Sequence, residues 1–154
     1  MLLIGSINTK KMSPTLDKNL ITKKLAILDG FIVELAPIVA LSEQEILNDD
    51  LKFHTSERMF QLIVDEMIDI NTHLIRVKDL VPPDDLQSTF KVLGKAGILP
   101  VDFAEKISPI VGLRNAIVHR YEHVDLKLFV HLLKHDFDDF KKFSIFIADK
   151  FLKS

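Results

Sequence analysis

The densest group of side chains that can do acid–base and phosphate chemistry lies in residues 112–125, GLRNAIVHRYEHVD. A histidine can take up or release a proton near neutral pH, because its ordinary pKa is about 6.5. An arginine guanidinium offers a planar fork of N–H donors that suits phosphate oxygens. The cluster indicates either phosphate chemistry or a simple helix C-terminus, where the helix dipole favours cations. Its candidate residues are Arg114, Asn115, His119, Arg120, Tyr121 and His123.

The spacing within this cluster limits which side chains can act together on a helix. Asn115 and His119 are four residues apart and share a helix face. Arg114 and His119 are five apart and point about 140° away from each other, so only the length of the arginine lets it reach the same cleft. We expect Asn115 to orient His119, to hold a phosphate, or to make an ordinary hydrogen bond on the helix surface.

A metal site is the competing chemical hypothesis. His131 and His135 are four apart on a predicted helix, and Asp138 or Asp139 could add a carboxylate. Di-iron helical bundles use Glu-x-x-His motifs, however, and the chain has none. It also has no HExxH, no GxxxxGK[ST] and no GxGxxG. We therefore favour surface or capping roles for these histidines and expect neither a metal nor another cofactor.

Composition narrows the class of protein. The 154 residues suit one domain and include no cysteine, which excludes disulfides, thiol nucleophiles and Cys-bearing metal sites. With 20 basic and 22 acidic residues the net charge is −2, so contacts with phosphates must be local. The chain has no run of about 18 consecutive apolar residues, so no membrane-spanning segment is predicted. We expect a cytoplasmic protein with residues 1–13 as a tail or expression remnant and 14–154 as one helical domain.

Apolar residues recur every three to five positions along most of the chain, which is typical of helices that face a core. The first helix should end or kink at Pro37, and Ser56 or Thr55 should cap the second. Ser108-Pro109 should either restart the fourth helix or kink it. The pattern predicts long helices over about 16–35, 56–80, 102–119 and 125–151, with a short helix over about 86–93.

These elements predict an all-α, up-and-down bundle of four main helices plus one short helix. The second helix carries an additional apolar stripe, Leu62, Ile68 and Ile75, which suggests burial on two sides and a dimer interface. We expect the acidic segment around Glu43–Asp50 to be solvated surface.

The string RNAIVHRY fits R-x-x-x-x-H-x-Y, with Arg114, His119 and Tyr121 at the three named positions. It resembles the motif of HepT-like toxins in the HEPN superfamily. Residues 56–75, SERMFQLIVDEMIDINTHLI, resemble that family's second-helix signature, and 90–100 and 135–143 are also similar to it. The resemblance covers about residues 16–152. Residues 1–13 and Pro109 depart from the pattern, and Pro109 leaves the path of the motif helix open.

The resemblance implies a HEPN-like homodimer that cleaves RNA without a metal at a site shared by its two motifs, with Arg114 and His119 as catalytic residues. It implies a partner, a minimal nucleotidyltransferase antitoxin, that transfers AMP from ATP to the motif tyrosine, here Tyr121. Asn115 and Arg120 would have supporting roles. The alternative is a catalytically silent HEPN subunit that docks a nucleotidyltransferase.

Two further expectations concern the second helix. We expect Arg58, which follows Glu57, to pair with an acid on an adjacent helix. We expect Asp69 and His73, four apart, to contact each other and support the cleft. Neither pair is expected to be catalytic.

Overall fold

A computed structural model describes residues 15–119 and 125–153. These residues form helices and no strand, so the predicted all-α class is confirmed. In the described part of the chain the helices are α1 (Lys18–Val39), α2 (Glu43–Leu47), α3 (Asp50–Val77), α4 (Ser88–Lys95), α5 (Val101–Ile107), α6 (Ile110–His119) and α7 (Leu126–Phe151).

The three long helices α1, α3 and α7 enclose the core. α1 buries one apolar stripe that follows the predicted period: Ile21, Leu25, Leu28, Ile32 and Leu35. Phe60 of α3 is fully buried, and its ring meets the rings of Phe129 and Phe140 on α7 at centroid distances of 5.5 and 6.1 Å. Burying one such side chain contributes about 1.5–3 kcal/mol, so these contacts fix α3 firmly against α7.

The start of α3 lies earlier than the sequence indicates. Asp49 caps the helix by accepting a hydrogen bond from the Lys52 backbone N–H at 3.2 Å. The expected cap at Ser56 is wrong, because Ser56 is buried within the helix and its hydroxyl donates to the Phe53 carbonyl at 2.6 Å. This earlier start adds His54 to the helix, one turn before Glu57.

The connection between α1 and α3 is more ordered than a solvated acidic segment. Ser42 and Glu45 form a reciprocal capping box that starts the short helix α2. Lys134 of α7 donates from Nζ to the carbonyl oxygens of Val39, at 2.6 Å, and Leu41, and so ties this connection to α7. Pro37 lies inside the last turn of α1, which continues to Val39.

The fourth predicted helix is divided at Ser108-Pro109 into α5 and α6, so the chain restarts rather than kinks. Ser108 does not act as the expected side-chain cap, because its hydroxyl donates to the Glu105 carbonyl at 3.2 Å in the last turn of α5. After this division α6 packs against α3, and α6 carries the Arg114–His119 segment.

Two of the three residues in the second apolar stripe of α3 are buried within the subunit, whereas Leu62 is partly exposed. Ile68 and Ile75 are 7% and 4% exposed, so they do not provide a free face for a dimer. Among the described residues no helix is both long and apolar enough to cross a membrane.

Candidate active site

The candidate site is built between one face of α3 and the C-terminal half of α6. Five polar side chains follow each other on α3 at spacings of three, one, three and four residues, which places them on one helix face. We call this set the polar stripe: His54, Glu57, Arg58, Gln61 and Asp65. α6 crosses this face in the opposite direction, since its residue 114 meets residue 65 and its residues 117 and 118 meet the earlier turns of α3.

Arg114 is held at the end of the polar stripe by an ion pair between helices. Its Nε donates to Asp65 Oδ1 at 2.8 Å, and its Nη1 donates to Asn115 Oδ1 at 3.1 Å. The side chains of Arg114 and Asp65 are 22% and 38% exposed, so the pair is partly screened by solvent. The two bonds use two of the five N–H donors of a guanidinium. Asn115 therefore supports Arg114 rather than making only a surface contact.

A cleft of about 420 Å³ opens one helical turn from this ion pair along both α3 and α6. It is lined by four members of the polar stripe, His54, Glu57, Arg58 and Gln61, and by Ile117 and Val118 of α6. His119 follows Val118 directly, is exposed, and is the last residue of α6. The volume lies in the range of small-molecule sites, and the lining combines groups that transfer protons with one that binds anions.

Two hydrogen bonds order the floor of the cleft. His54 Nδ1 lies 3.0 Å from Glu57 Oε1, and Arg58 Nη1 donates to Gln61 Oε1 at 3.4 Å. The expectation that Arg58 pairs with an acid on an adjacent helix is wrong for the part of the chain that the structure describes. The exposed guanidinium of Arg58 instead lines the cleft.

Asp69 and His73 do not contact each other as expected. Asp69 lies 4.0 Å from the ammonium of Lys24, whereas His73 Nδ1 accepts a hydrogen bond from Arg76 at 3.3 Å. Burial lowers the pKa of His73, and the neighbouring Arg76 guanidinium lowers it further. Both residues lie toward the other end of α3 from the cleft, so we assign them to the framework.

A second, larger groove of about 500 Å³ lies at the C-terminal end of α3 and along the segment before α4. It has charged groups at its edge, among them Arg76 and Asp79, but its exposed lining is mainly apolar. The smaller cleft is the better candidate because histidine and carboxylate side chains meet there beside Arg114.

Three of the α7 side chains that were considered as metal ligands contact different partners. His131 Nδ1 lies 3.0 Å from Glu43 Oε1, and His135 Nδ1 lies 2.9 Å from Asp136 Oδ1. Asp139 is buried beside Lys106 and Lys142. Across residues 15–119 and 125–153 no group of three or more His, Cys, Asp or Glu side chains is placed to hold a metal ion.

The structure therefore places Val118, the residue before His119, in the lining of the cleft, with Arg114 and Asn115 one helical turn earlier on α6. Arg120, Tyr121 and His123 lie outside the described residues. Sequence reasoning missed His54, because it placed the start of α3 too late. It also missed Asp65, although the acid follows Gln61 by four residues and thus continues the face that carries Glu57, Arg58 and Gln61.

Comparison with known proteins identifies relatives of this chain. A family model described as Ribonuclease HepT-like matches residues 28–147, a range that includes the whole Arg114–Tyr121 motif. An "mRNA nuclease HepT" of Shewanella oneidensis is 32% identical over 76 residues, which are 49% of this chain and 57% of that protein. A "tRNA nuclease HepT" of Aphanizomenon flos-aquae is 31% identical over 107 residues, or 69% of this chain and 72% of that protein.

Solved structures show the same fold. One is described as a tri-AMPylated Shewanella oneidensis HEPN toxin in complex with MNT antitoxin; it has a TM-score of 0.77 at 24% identity and covers 87% of this chain and 99% of its own. A toxin–antitoxin structure with AMP-PNP has a TM-score of 0.78 at 23% identity, covering 86% and 99%. Since the family model spans the core helices and the motif together, the chain belongs to the Ribonuclease HepT-like family.

Proposed function

We propose that this protein is the toxin of a toxin–antitoxin pair and a metal-independent endoribonuclease. The observation that carries the proposal is the Arg114–Asp65 ion pair, which fixes a guanidinium one helical turn from the cleft. His119 follows the cleft residue Val118 on the same helix. Relatives named as mRNA and tRNA nucleases support RNA as the substrate. We expect the protein to act in the cytoplasm, because its proposed RNA substrate is found there.

The proposed reaction is attack of a ribose 2′-hydroxyl on the adjacent phosphorus. It requires removal of the 2′-hydroxyl proton, protonation of the departing 5′-oxygen and neutralisation of the extra charge on the phosphate oxygens. An imidazole suits proton transfer near neutral pH, and His119 takes this role. The donors of Arg114 that do not bind Asp65 or Asn115 stabilise the phosphate charge. Arg120, the next residue in the sequence, supplies a further positive charge to this motif.

We further propose that two copies form a homodimer with the cleft near the interface. Three large apolar side chains are exposed close to the His54 end of the cleft: Leu51 at 77%, Leu126 at 49% and Leu128 at 50%. The Phe53 and Phe129 rings, 6.0 Å apart, join the starts of α3 and α7, so these leucines lie at the same end of the bundle. Exposed apolar side chains at one end of a bundle favour a surface that a partner covers.

The decisive experiment incubates purified protein with single-stranded RNA in excess EDTA. We expect cleavage that leaves 2′,3′-cyclic phosphate and 5′-hydroxyl ends, because attack by the 2′-oxygen produces both. A substrate of 2′-deoxynucleotides is the control and should stay intact. Light scattering should show that the active species has twice the mass of one chain. An intact RNA, together with tight binding to a nucleotidyltransferase, would instead support the catalytically silent subunit.

Control by an antitoxin is the second part of the proposal. Structural neighbours are complexes of HEPN toxin with MNT antitoxin, one of them AMPylated, and we assign the modified position here to the motif residue Tyr121. AMP transferred from ATP to the tyrosine oxygen, with release of pyrophosphate, adds bulk and negative charge that repel RNA.

This control predicts a mass change. Co-expression with the cognate nucleotidyltransferase should add one or more AMP units to the intact protein and abolish RNA cleavage. In Tyr121→Phe protein the site has no hydroxyl, so the added mass should disappear while the bundle stays folded. An unchanged AMP adduct on the Tyr121→Phe protein would assign the modification to another residue.

A further inference from the structure

Cleavage of RNA without a metal needs both a base and an acid, but the motif supplies one histidine per chain. A homodimer with a shared cleft could recruit the second imidazole from its partner. The structure offers one within the same subunit, since His54 lines the cleft from α3. His54 lies outside the R-x-x-x-x-H-x-Y motif, and none of the comparisons assigns it a role.

The hydrogen bond to Glu57 favours one tautomer of the neutral His54 ring. An ionised carboxylate only accepts hydrogen bonds, so His54 Nδ1 must donate to Glu57 Oε1 across their 3.0 Å separation. The neutral ring then carries its proton on Nδ1 and a lone pair on Nε2, which is the tautomer that accepts a proton. In catalytic triads a carboxylate holds the imidazole in its tautomer and orientation through the same kind of hydrogen bond.

Glu57 and His54 differ in how far their side chains are exposed to solvent. The Glu57 side chain is 12% exposed, whereas the His54 side chain is 61% exposed. The carboxylate is therefore held in place by the protein, and the imidazole that it orients can be reached by a substrate. The exposed Arg58 guanidinium lines the same cleft and suits the phosphate of the bound nucleotide.

We propose that His54 is the general base of this ribonuclease and acts in the same subunit as His119, with Glu57 as its positioning residue. The inference rests on the proposed function and assigns the two proton transfers. His54 Nε2 takes the proton of the 2′-hydroxyl as the 2′-oxygen forms a bond to phosphorus. The bond from phosphorus to the 5′-oxygen breaks, and the His119 imidazolium gives its proton to that oxygen. The products are a 2′,3′-cyclic phosphate and a 5′-hydroxyl.

The first test is the variant His54→Gln, which keeps a polar side chain on the helix but cannot act as a base. We expect kcat for RNA cleavage to fall about 100-fold, because general base catalysis contributes about 10²–10⁴-fold. His131→Gln is the matched control: His131 has the same imidazole–carboxylate arrangement, with Glu43 at 3.0 Å, but it is on α7 and is not among the residues that line the cleft. The control should cleave RNA at the wild-type rate.

A substrate with sulfur in place of the bridging 5′-oxygen separates the two proton transfers. A thiolate leaves without protonation, so we expect this substrate to restore cleavage by His119→Ala. His54→Gln should stay impaired on it, because the 2′-hydroxyl proton must still be removed. Restoration of His54→Gln but not of His119→Ala would reverse the two roles and overturn the proposal.

The pH dependence of kcat/KM reports the same assignment and also tests Glu57. The acidic limb of the profile reflects the base of the free enzyme, so it should disappear in His54→Gln and shift in Glu57→Gln. A purely structural role for Glu57 would lower the rate without moving the limb. Circular dichroism and the dimer mass should match the wild type in both variants.

The outcomes also separate this inference from the proposed function. If wild-type protein leaves RNA intact in EDTA, the proposed function fails and the inference fails with it. A different pattern would leave the proposed function intact: wild-type protein cleaves RNA, His119→Ala does not, and His54→Gln cleaves within about threefold of the wild-type rate. The base would then be another group, such as the partner's copy of the motif histidine. This rate for His54→Gln is enough by itself to overturn the role of His54.

Discussion

Replacing His119 with alanine is expected to lower kcat for RNA cleavage at least about 1,000-fold and to relieve growth arrest in cells that produce the protein. The reason is the loss of a proton-transfer group, which contributes about 10²–10⁴-fold in enzymes. His119 is exposed at the end of α6, so truncation to alanine removes little buried surface and the helical bundle should keep its stability.

The measurement pairs a single-turnover assay of the purified variant with a growth curve under induced expression. His135→Ala is the control, because His135 is an exposed histidine on α7 that bonds to Asp136 and has no part in the cleft. It should be as toxic and as active as the wild type. Unchanged toxicity of the His119→Ala variant, with normal expression, would contradict the proposed function.

The helices themselves could be predicted from the sequence because burial repeats along each of them. The stripe from Ile21 to Leu35 and the phenylalanines of α7 follow the period of a helix, and all of them face the same core. The last helix also begins where it was predicted, and Asp125 caps α7 by accepting from the Leu128 backbone N–H at 3.1 Å. A helix can be predicted from its own sequence when the spacing of its apolar residues and its capping residue are sufficient to define it.

Boundaries were harder to predict, because several residues could cap each helix. Asp49, Thr55 and Ser56 are all residues that cap helices well, and only packing selects Asp49. Phe53 is buried against Phe129, which requires the turn before Ser56 to be helical as well. The core therefore decided the start of α3, and with it the presence of His54 in the cleft.

The partner of Arg114 could not be derived from spacing within the motif. Arg114 and Asp65 are 49 residues apart in sequence, and their contact depends on the angle at which α6 crosses α3. The break at Ser108-Pro109 begins α6 as a separate helix, yet a Ser-Pro pair is compatible with both a kinked and a restarted helix. The motif identified the chemistry, whereas only the packed structure shows what holds the arginine in position.

The ion pair leads to a second large effect. Arg114→Ala should lower kcat about 100- to 1,000-fold, the usual loss when one donor to a developing oxyanion is removed. Arg114→Lys should not restore the rate, because an ammonium cannot bind Asp65, Asn115 and a phosphate through one planar fork. Asp65→Asn keeps the guanidinium but releases its orientation, so we expect a smaller loss, about tenfold in kcat.

A double mutant separates orientation from direct participation by Asp65. If Asp65 acts only by holding Arg114, the Asp65→Asn, Arg114→Ala protein should be no slower than Arg114→Ala alone, because residues that act as a unit are not additive. Asp69→Asn is the matched control: it lies one turn along the same helix, and its contact is with Lys24 instead. A further tenfold loss in the double mutant would mean that Asp65 affects catalysis without acting through the arginine, and the orienting role of the ion pair would then be wrong.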